Sequence, residues 1–256
     1  MKILVVMKQV PDLADELEIS DDGNSLDPDA VTWVLNEFDD HALEEALQLK
    51  DALGGSVAAL ALGSEAVDKA LFTALAKGAD EAKKVGEFEG GVSSHVAAEA
   101  FAAAIGGMEY DLILTGVQAI DDLDGQVGPL LATKLEIPHV SVVTHVEVSG
   151  DAKSVTVHQE YAGGVLAEFE VDLPAVLGIQ AARATPRYAP VSRVRQLQKE
   201  ASLETIDGAP SGTSGLEVER LFVPETGGHA EMIEGDEDEA AEKIVNILEE
   251  RGLLPK

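Results

Sequence analysis

The chain has 256 residues, enough for one large α/β domain or a domain with an arm. Eighteen basic against 48 acidic residues give a net charge of −30, which excludes a nucleic-acid-binding surface. It points instead to a halophilic protein, in which strong screening makes a carboxylate-rich surface tolerable. The lack of cysteine excludes disulfides, thiolate metal ligands and a thiol nucleophile. No apolar run approaches the roughly 18 residues of a membrane helix, and Lys8 directly follows the short run Met1–Met7. A soluble, cytoplasmic protein with no direct membrane insertion is therefore expected.

Strand and helix signals alternate along the first two-thirds of the chain. Ile3–Met7 reads as a first strand, and Leu17–Leu26 as a small hairpin turning at Gly23. A helix is predicted over Asp39–Leu53, with acidic residues in its first turn and Phe38, Ala42, Ala46, Leu49 and Leu53 on one face. Gly54-Gly55 stops it. Ser56–Leu62 is an apolar strand, followed by a helix capped by Ser64 and ending near Lys77-Gly78. Ala82–Val85 is a short strand, and Ser93 or Ser94 opens an Ala-rich helix to Ile105.

Asp111–Thr115 then forms a buried strand, and a helix signal resumes near Gly128 and Pro129, stopping near Ile137-Pro138. From His139 the periodicity changes. His139–Ser149, Ser154–Glu160 and Val165–Val171 alternate in places between Gly-containing turns, which predicts an antiparallel section. His139 and His145, evenly spaced, are expected on one face. Ala175–Ile179 is a final buried strand. Ala201–Gly215, rich in Ser, Thr, Gly and Pro, reads as a loop or extended arm, and a last helix is expected over about Asp236–Glu250.

The segment Gln118-Ala119-Ile120-Asp121-Asp122-Leu123-Asp124-Gly125-Gln126-Val127-Gly128-Pro129 joins a strand end to a helix start. Open α/β sheets place ligands there, and free N–H groups at a helix start attract phosphate. A nucleotide is the expected ligand. Asp121 and Asp122 suit holding the turn, a ribose or a bound cation better than acid–base catalysis. Gly125 and Gly128 allow close backbone approach. No nucleophile elbow, zinc-protease helix or phosphate-loop motif is present, so no catalytic residue and no metal site is assigned.

This loop resembles the nucleotide-binding loop of the electron transfer flavoprotein β subunit. The likeness extends to Lys8-Gln-Val10, Asn36–Asp39, Ala42–Leu47, Ala76–Asp80, Leu173–Val176 and Pro186–Ala189, in the family's order. It implies a parallel-sheet, Rossmann-like three-layer α/β domain over residues 1–189, with an antiparallel section. Residues 190–256 would then carry a partner-recognition loop and an extended C-terminal arm docking on the α subunit. It also implies a heterodimer with that subunit, FAD shared with it, and a structural AMP in this chain. Electrons would pass from flavin dehydrogenases towards a membrane quinone reductase, and this subunit would have no active site of its own.

Nucleotide contacts carried over by the resemblance are Val6 and Leu62 at strand ends, Asn36, Glu37, Phe38 and Asp39, and the whole loop Gln118–Pro129. Glu37 replaces a proline of the family's Asn-Pro-Phe-Asp element, and Phe38 suits a core staple as well as a ligand contact. Tyr188, Val191, Arg193 and Arg195 fall where the family docks its dehydrogenases. Two features point in different directions. Asp121-Asp122 resembles the AMP-binding members, whereas Gly125–Pro129 and Lys8–Asp12 resemble bifurcating members that hold a second FAD. A stand-alone adenine-nucleotide sensor of the same fold is the alternative in another class.

Overall fold

Four short apolar segments, Ile3–Met7, Ser56–Leu62, Leu112–Gly116 and Ala175–Ile179, line up side by side at the centre of the sheet. The computed structural model describes residues 1–63, 67–86, 88, 92–208, 218–224 and 232–254. In chain order its elements begin with β1 (Lys2–Met7), β2 (Gln9–Pro11), β3 (Trp33–Leu35), α1 (Glu37–Leu53) and β4 (Ser56–Leu62). They continue with α2 (Asp68–Lys77), β5 (Glu81–Val85), α3 (Ser94–Ile105), β6 (Leu112–Gly116) and α4 (Val127–Leu135). Next come β7 (His139–Val148), β8 (Ser154–Tyr161), β9 (Val165–Asp172) and β10 (Ala175–Ile179). The chain closes with α5 (Val191–Glu200), β11 (Glu204–Ile206) and α6 (Glu237–Glu250).

Nine strands form one sheet in the order β11-β5-β4-β1-β6-β10-β7-β8-β9. It is parallel from β11 to β7, while β8 and β9 continue it antiparallel. The chain winds outward from β1 to β4 and β5, then returns to place β6 on the other side of β1. The crevice at the carboxyl ends of β1 and β6 is therefore the topological switch point.

Alternation along β1 feeds two cores. Ile3, Val5 and Met7 pack with α1 and α2, whereas Leu4 and Val6 pack with α3 and α4. This gives the expected three layers. The chain divides into two units, Met1–Leu221 and Phe222–Lys256. In the second, α6 starts at a reciprocal capping box in which Asp236 accepts from the Glu239 backbone and Glu239 from that of Asp236.

Several sequence expectations need correction. Helix α1 starts at Glu37 rather than Asp39, and Leu53, expected on its buried face, is 54% exposed. The segment expected to be loop or arm contains β11, which extends the parallel sheet from β5, so β10 is not the last strand. The short antiparallel pair β2–β3 is an addition that no sequence period announces. The hairpin at Gly23 is present, with one antiparallel bridge between Ile19 and Leu26. Ser64, proposed to cap α2, lies outside the described residues, as do 209–215 of the expected arm.

Strand β7 departs most from simple alternation. Its register slips once against β10, between Leu177 and Ile179, and once against β8, between Val143 and His145. Val142 sits at φ +57, in the left-handed region that a β-branched residue rarely occupies. As a result Val140, Val143 and Val146 join the same core at a spacing of three. His139 and His145, expected on one face from their even spacing, are therefore separated. His139 lies against Gly128 of α4, while His145 stacks on His158 of β8 with ring centroids 4.7 Å apart.

Candidate nucleotide site at the sheet switch point

The crevice is tied together by a single carboxylate. Asp39, in the first turn of α1, is 6% exposed. Its Oδ2 accepts from the Lys8 backbone N–H at 2.8 Å and its Oδ1 from the Gly116 N–H at 2.8 Å. One side chain thus joins the carboxyl ends of β1 and β6 to the start of α1. Burial pushes its pKa up to about 7, against the two backbone donors and the nearby Lys8 and Asn36, which favour the charged form. Gly116 is required here, since an added Cβ would stand 2.5 Å from Asp39 Oδ1 and 2.7 Å from the Phe38 Cβ. Phe38 accordingly packs on the end of β6 and is half-buried.

Asn36 caps the crevice from the same helix. Its Nδ2 donates to the Gln118 carbonyl at 2.9 Å, while its Oδ1, in a residue 1% exposed, has no partner. A buried amide oxygen without a donor is costly, and a ligand N–H or hydroxyl would satisfy it. Val6 is buried beneath the crevice in β1, and Leu62 ends β4 half-buried; Glu37 is exposed.

The loop from Gln118 to Gln126 is held by its own acids. Asp122 Oδ1 accepts from the Asp124 N–H at 2.9 Å, Asp124 Oδ1 from Gln126 Nε2 at 2.7 Å, and the Leu123 N–H reaches the Ala119 carbonyl. Leu123 at φ +54 and Gly125 at φ +64 make the reversal. Ala119, Ile120 and Val127 line it half-buried. Gly128 is buried, and a Cβ there would lie 3.0 Å from His139 Nε2 and 3.3 Å from Thr115 Oγ1. Its small size is therefore demanded by packing beneath the helix. Pro129 stands in the first turn, where its missing N–H costs nothing.

Two helix starts face the crevice, and they differ. Neither is capped by a side chain, but the first turn of α1 carries Glu37, Asp39 and Asp40, whereas that of α4 carries no acid. An anion is favoured at α4 and repelled at α1. Lys8, which the sequence marks only as part of the family likeness, belongs to the site. Its ammonium sits 2.8 Å from Asp121 Oδ1 and 2.8 Å from Asp122 Oδ2. Burial disfavours the charged lysine, but the two aspartates outweigh it and raise its pKa above the ordinary value. Only contacts 113 and 114 residues away in sequence reveal this role.

The second group of predicted residues lies elsewhere. Tyr188 and Val191 are 78% and 56% exposed at the start of α5, with Arg193 and Arg195 also exposed on that helix. The segment expected to be a docking loop is thus largely helical, and α5 packs against α2. Its position is fixed by α1. Glu44 accepts from the Arg187 N–H at 2.9 Å and from its guanidinium at 3.0 and 3.1 Å. Glu45 accepts likewise from the Arg183 backbone and side chain, and His41 Nδ1 from the Ala182 N–H. Burial opposes ionisation of both acids. Arg187 overcomes it at Glu44, whose pKa falls below the usual value, whereas at Glu45 burial prevails and the pKa rises.

Among the described residues no cluster of His, Asp and Glu is placed to hold a metal, and no helix is long and apolar enough to cross a membrane.

A model of the electron transfer flavoprotein domain matches residues 24–210. The electron transfer flavoprotein subunit beta of Methylophilus methylotrophus is 36% identical, covering 98% of each chain. That of Clostridium acetobutylicum is also 36% identical over 98% of each. The caffeyl-CoA reductase-Etf complex subunit CarD of Acetobacterium woodii is 32% identical, covering 99% of this chain and all of its own. With its three-layer sheet and these near full-length matches, the chain belongs to the electron transfer flavoprotein family as a β subunit, a carrier of electrons.

Proposed function

We propose that the crevice between β1, β6, α1 and α4 holds an adenine nucleotide, AMP, and that this chain pairs with an α subunit to hold FAD. The observation that carries the nucleotide is the unpaired Asn36 Oδ1, buried at the switch point next to the Gln118 carbonyl that its own amide holds. The uncapped start of α4 would receive the phosphate, Asn36 would accept a hydrogen bond from the nucleoside, and Gln118–Pro129 would wrap it. FAD would supply the one- and two-electron chemistry; this chain supplies position and electrostatics.

The exposed face made by Tyr188, Val191, Arg193 and Arg195 would dock flavin dehydrogenases, with a membrane quinone reductase as the acceptor. Residues 1–189 would bind the nucleotide, and the remainder would serve partner recognition, its C-terminal arm docking on the α subunit. The charge of −30 supports operation in a salt-rich cytoplasm. A second reading, in which the crevice holds a second FAD and the protein bifurcates electrons, is favoured by Gly125-Gln-Val-Gly128 and by the caffeyl-CoA reductase-Etf relative.

The deciding experiment purifies the chain with its co-expressed α subunit in high salt, denatures the complex and quantifies the released nucleotides. Equal amounts of FAD and AMP are expected. Twice as much FAD with no AMP would replace this reading by the bifurcating one. Adenine nucleotide with no flavin, on a chain that stays alone, would reduce it to a nucleotide sensor.

A further inference from the structure

The loop that wraps the proposed nucleotide is itself acidic. Asp121, Asp122 and Asp124 lie within four residues of each other, and Asp39 and Asp40 stand at the neighbouring helix start. A phosphate arriving at α4 enters a field of its own sign, in a protein already carrying −30. The helix start alone offers only about half a positive charge against this. Lys8 is the cation placed to answer it. It sits at the end of β1, in the residue next after Met7, so the central strand of the sheet fixes its position. Its ammonium meets both Asp121 and Asp122 at 2.8 Å, with its side chain 30% exposed.

We propose that Lys8 is a specificity-determining residue of this site. By neutralising Asp121 and Asp122 it allows the crevice to take a nucleotide bearing a phosphate, without itself being the phosphate's ligand. The inference rests on the nucleotide reading above. Asp122 already has work at the turn, where its other oxygen holds the Asp124 N–H. Asp122 thus serves loop shape, and the lysine removes the electrostatic cost of both acids to an anion.

The test measures AMP and adenosine binding by calorimetry on the full chain, freed of bound nucleotide, in a fixed high-salt buffer. Lys8→Gln is expected to weaken AMP about tenfold or more while changing adenosine less than about twofold. Lys8→Arg, which keeps the charge, is expected to stay near the original protein. The triple variant Lys8→Gln/Asp121→Asn/Asp122→Asn is expected to recover AMP binding, because the charges that needed neutralising are gone. A triple variant as weak as Lys8→Gln would overturn neutralisation in favour of a direct phosphate contact. Equal loss of AMP and adenosine would also overturn it, marking Lys8 as a structural tie only. If Lys8→Gln does not fold, the comparison of the triple variant with the original protein decides the same question. An original protein that binds neither ligand would overturn the nucleotide reading itself, whereas one that binds AMP unaffected by Lys8→Gln overturns this inference alone.

Discussion

At the residue scale, Asp39 is the most exacting position in the molecule. Both carboxylate oxygens accept backbone N–H groups from different strands, so Asp39→Asn turns an NH2 against one donor and leaves it unsatisfied. A loss of about 2–3 kcal/mol of unfolding free energy is expected by denaturant titration. The loss should depend on pH. With its folded pKa raised to about 7, the carboxyl binds its proton more tightly folded than unfolded. Its contribution is therefore largest in acid and falls as pH rises through 7. The stability gap between the original protein and Asp39→Asn should narrow from pH 5 to pH 8, and a gap that widens would refute the raised value. Sequence alone suggested Asp39 as a helix-start acid and nucleotide contact. Its clamp between two strands was illegible there, because Lys8 and Gly116 lie 31 and 77 residues away.

At the element scale, α1 reaches in two directions. Its first turn holds the crevice through Asn36 and Asp39, and its middle holds residues 182–187 through His41, Glu44 and Glu45. Arg187→Ala would leave Glu44, 4% exposed, without its countercharge. A destabilisation of about 2 kcal/mol or more is expected from the thermal midpoint. Protease cleavage near Tyr188 should accelerate, since that segment loses its anchor. Unchanged cleavage would show that α5 packing alone fixes it. Elements that were legible share one property. Ser56–Leu62 and Ala175–Ile179 are unbroken apolar runs, the first bounded by glycines and the second following a proline, and the structure returns both with the same ends. Strands β2, β3 and β11 are three residues each, too short for a period to show, and β11 begins with a glutamate. Helix α1 was read from its apolar stripe, but the stripe says nothing of the buried Glu44 and Glu45.

At the scale of the whole molecule, charge governs the conditions of stability. With 48 acidic side chains and 18 basic ones, repulsion acts over about 10 Å at 0.1 M salt and about 3 Å at 1 M. The thermal midpoint should rise as potassium chloride goes from 0.1 M to about 2 M, steeply at first. A flat or falling curve would show that the acidic surface is not tuned to salt. The ion pairs of Lys8, Arg183 and Arg187 are partly buried and are screened less, so the crevice and the α1 contacts should outlast the surface in this respect.

The two slips in β7 have a consequence for how its length can vary. Each adds one residue, so Val140, Val143 and Val146 share a core although odd numbers separate them. Two odd offsets sum to an even one. Beyond Val146 the ribbon of β7, β8 and β9 presents its faces as though neither slip existed. Losing the extra residue near Val142 would leave Val140 and Val143 two apart, so both stay inside and Val143 stays opposite Ile179, whereas losing one residue away from either slip would exchange inside and outside along everything that follows. The strand is thus expected to tolerate a lost residue at either slip and to be disrupted by one lost between them and the ends of the strand.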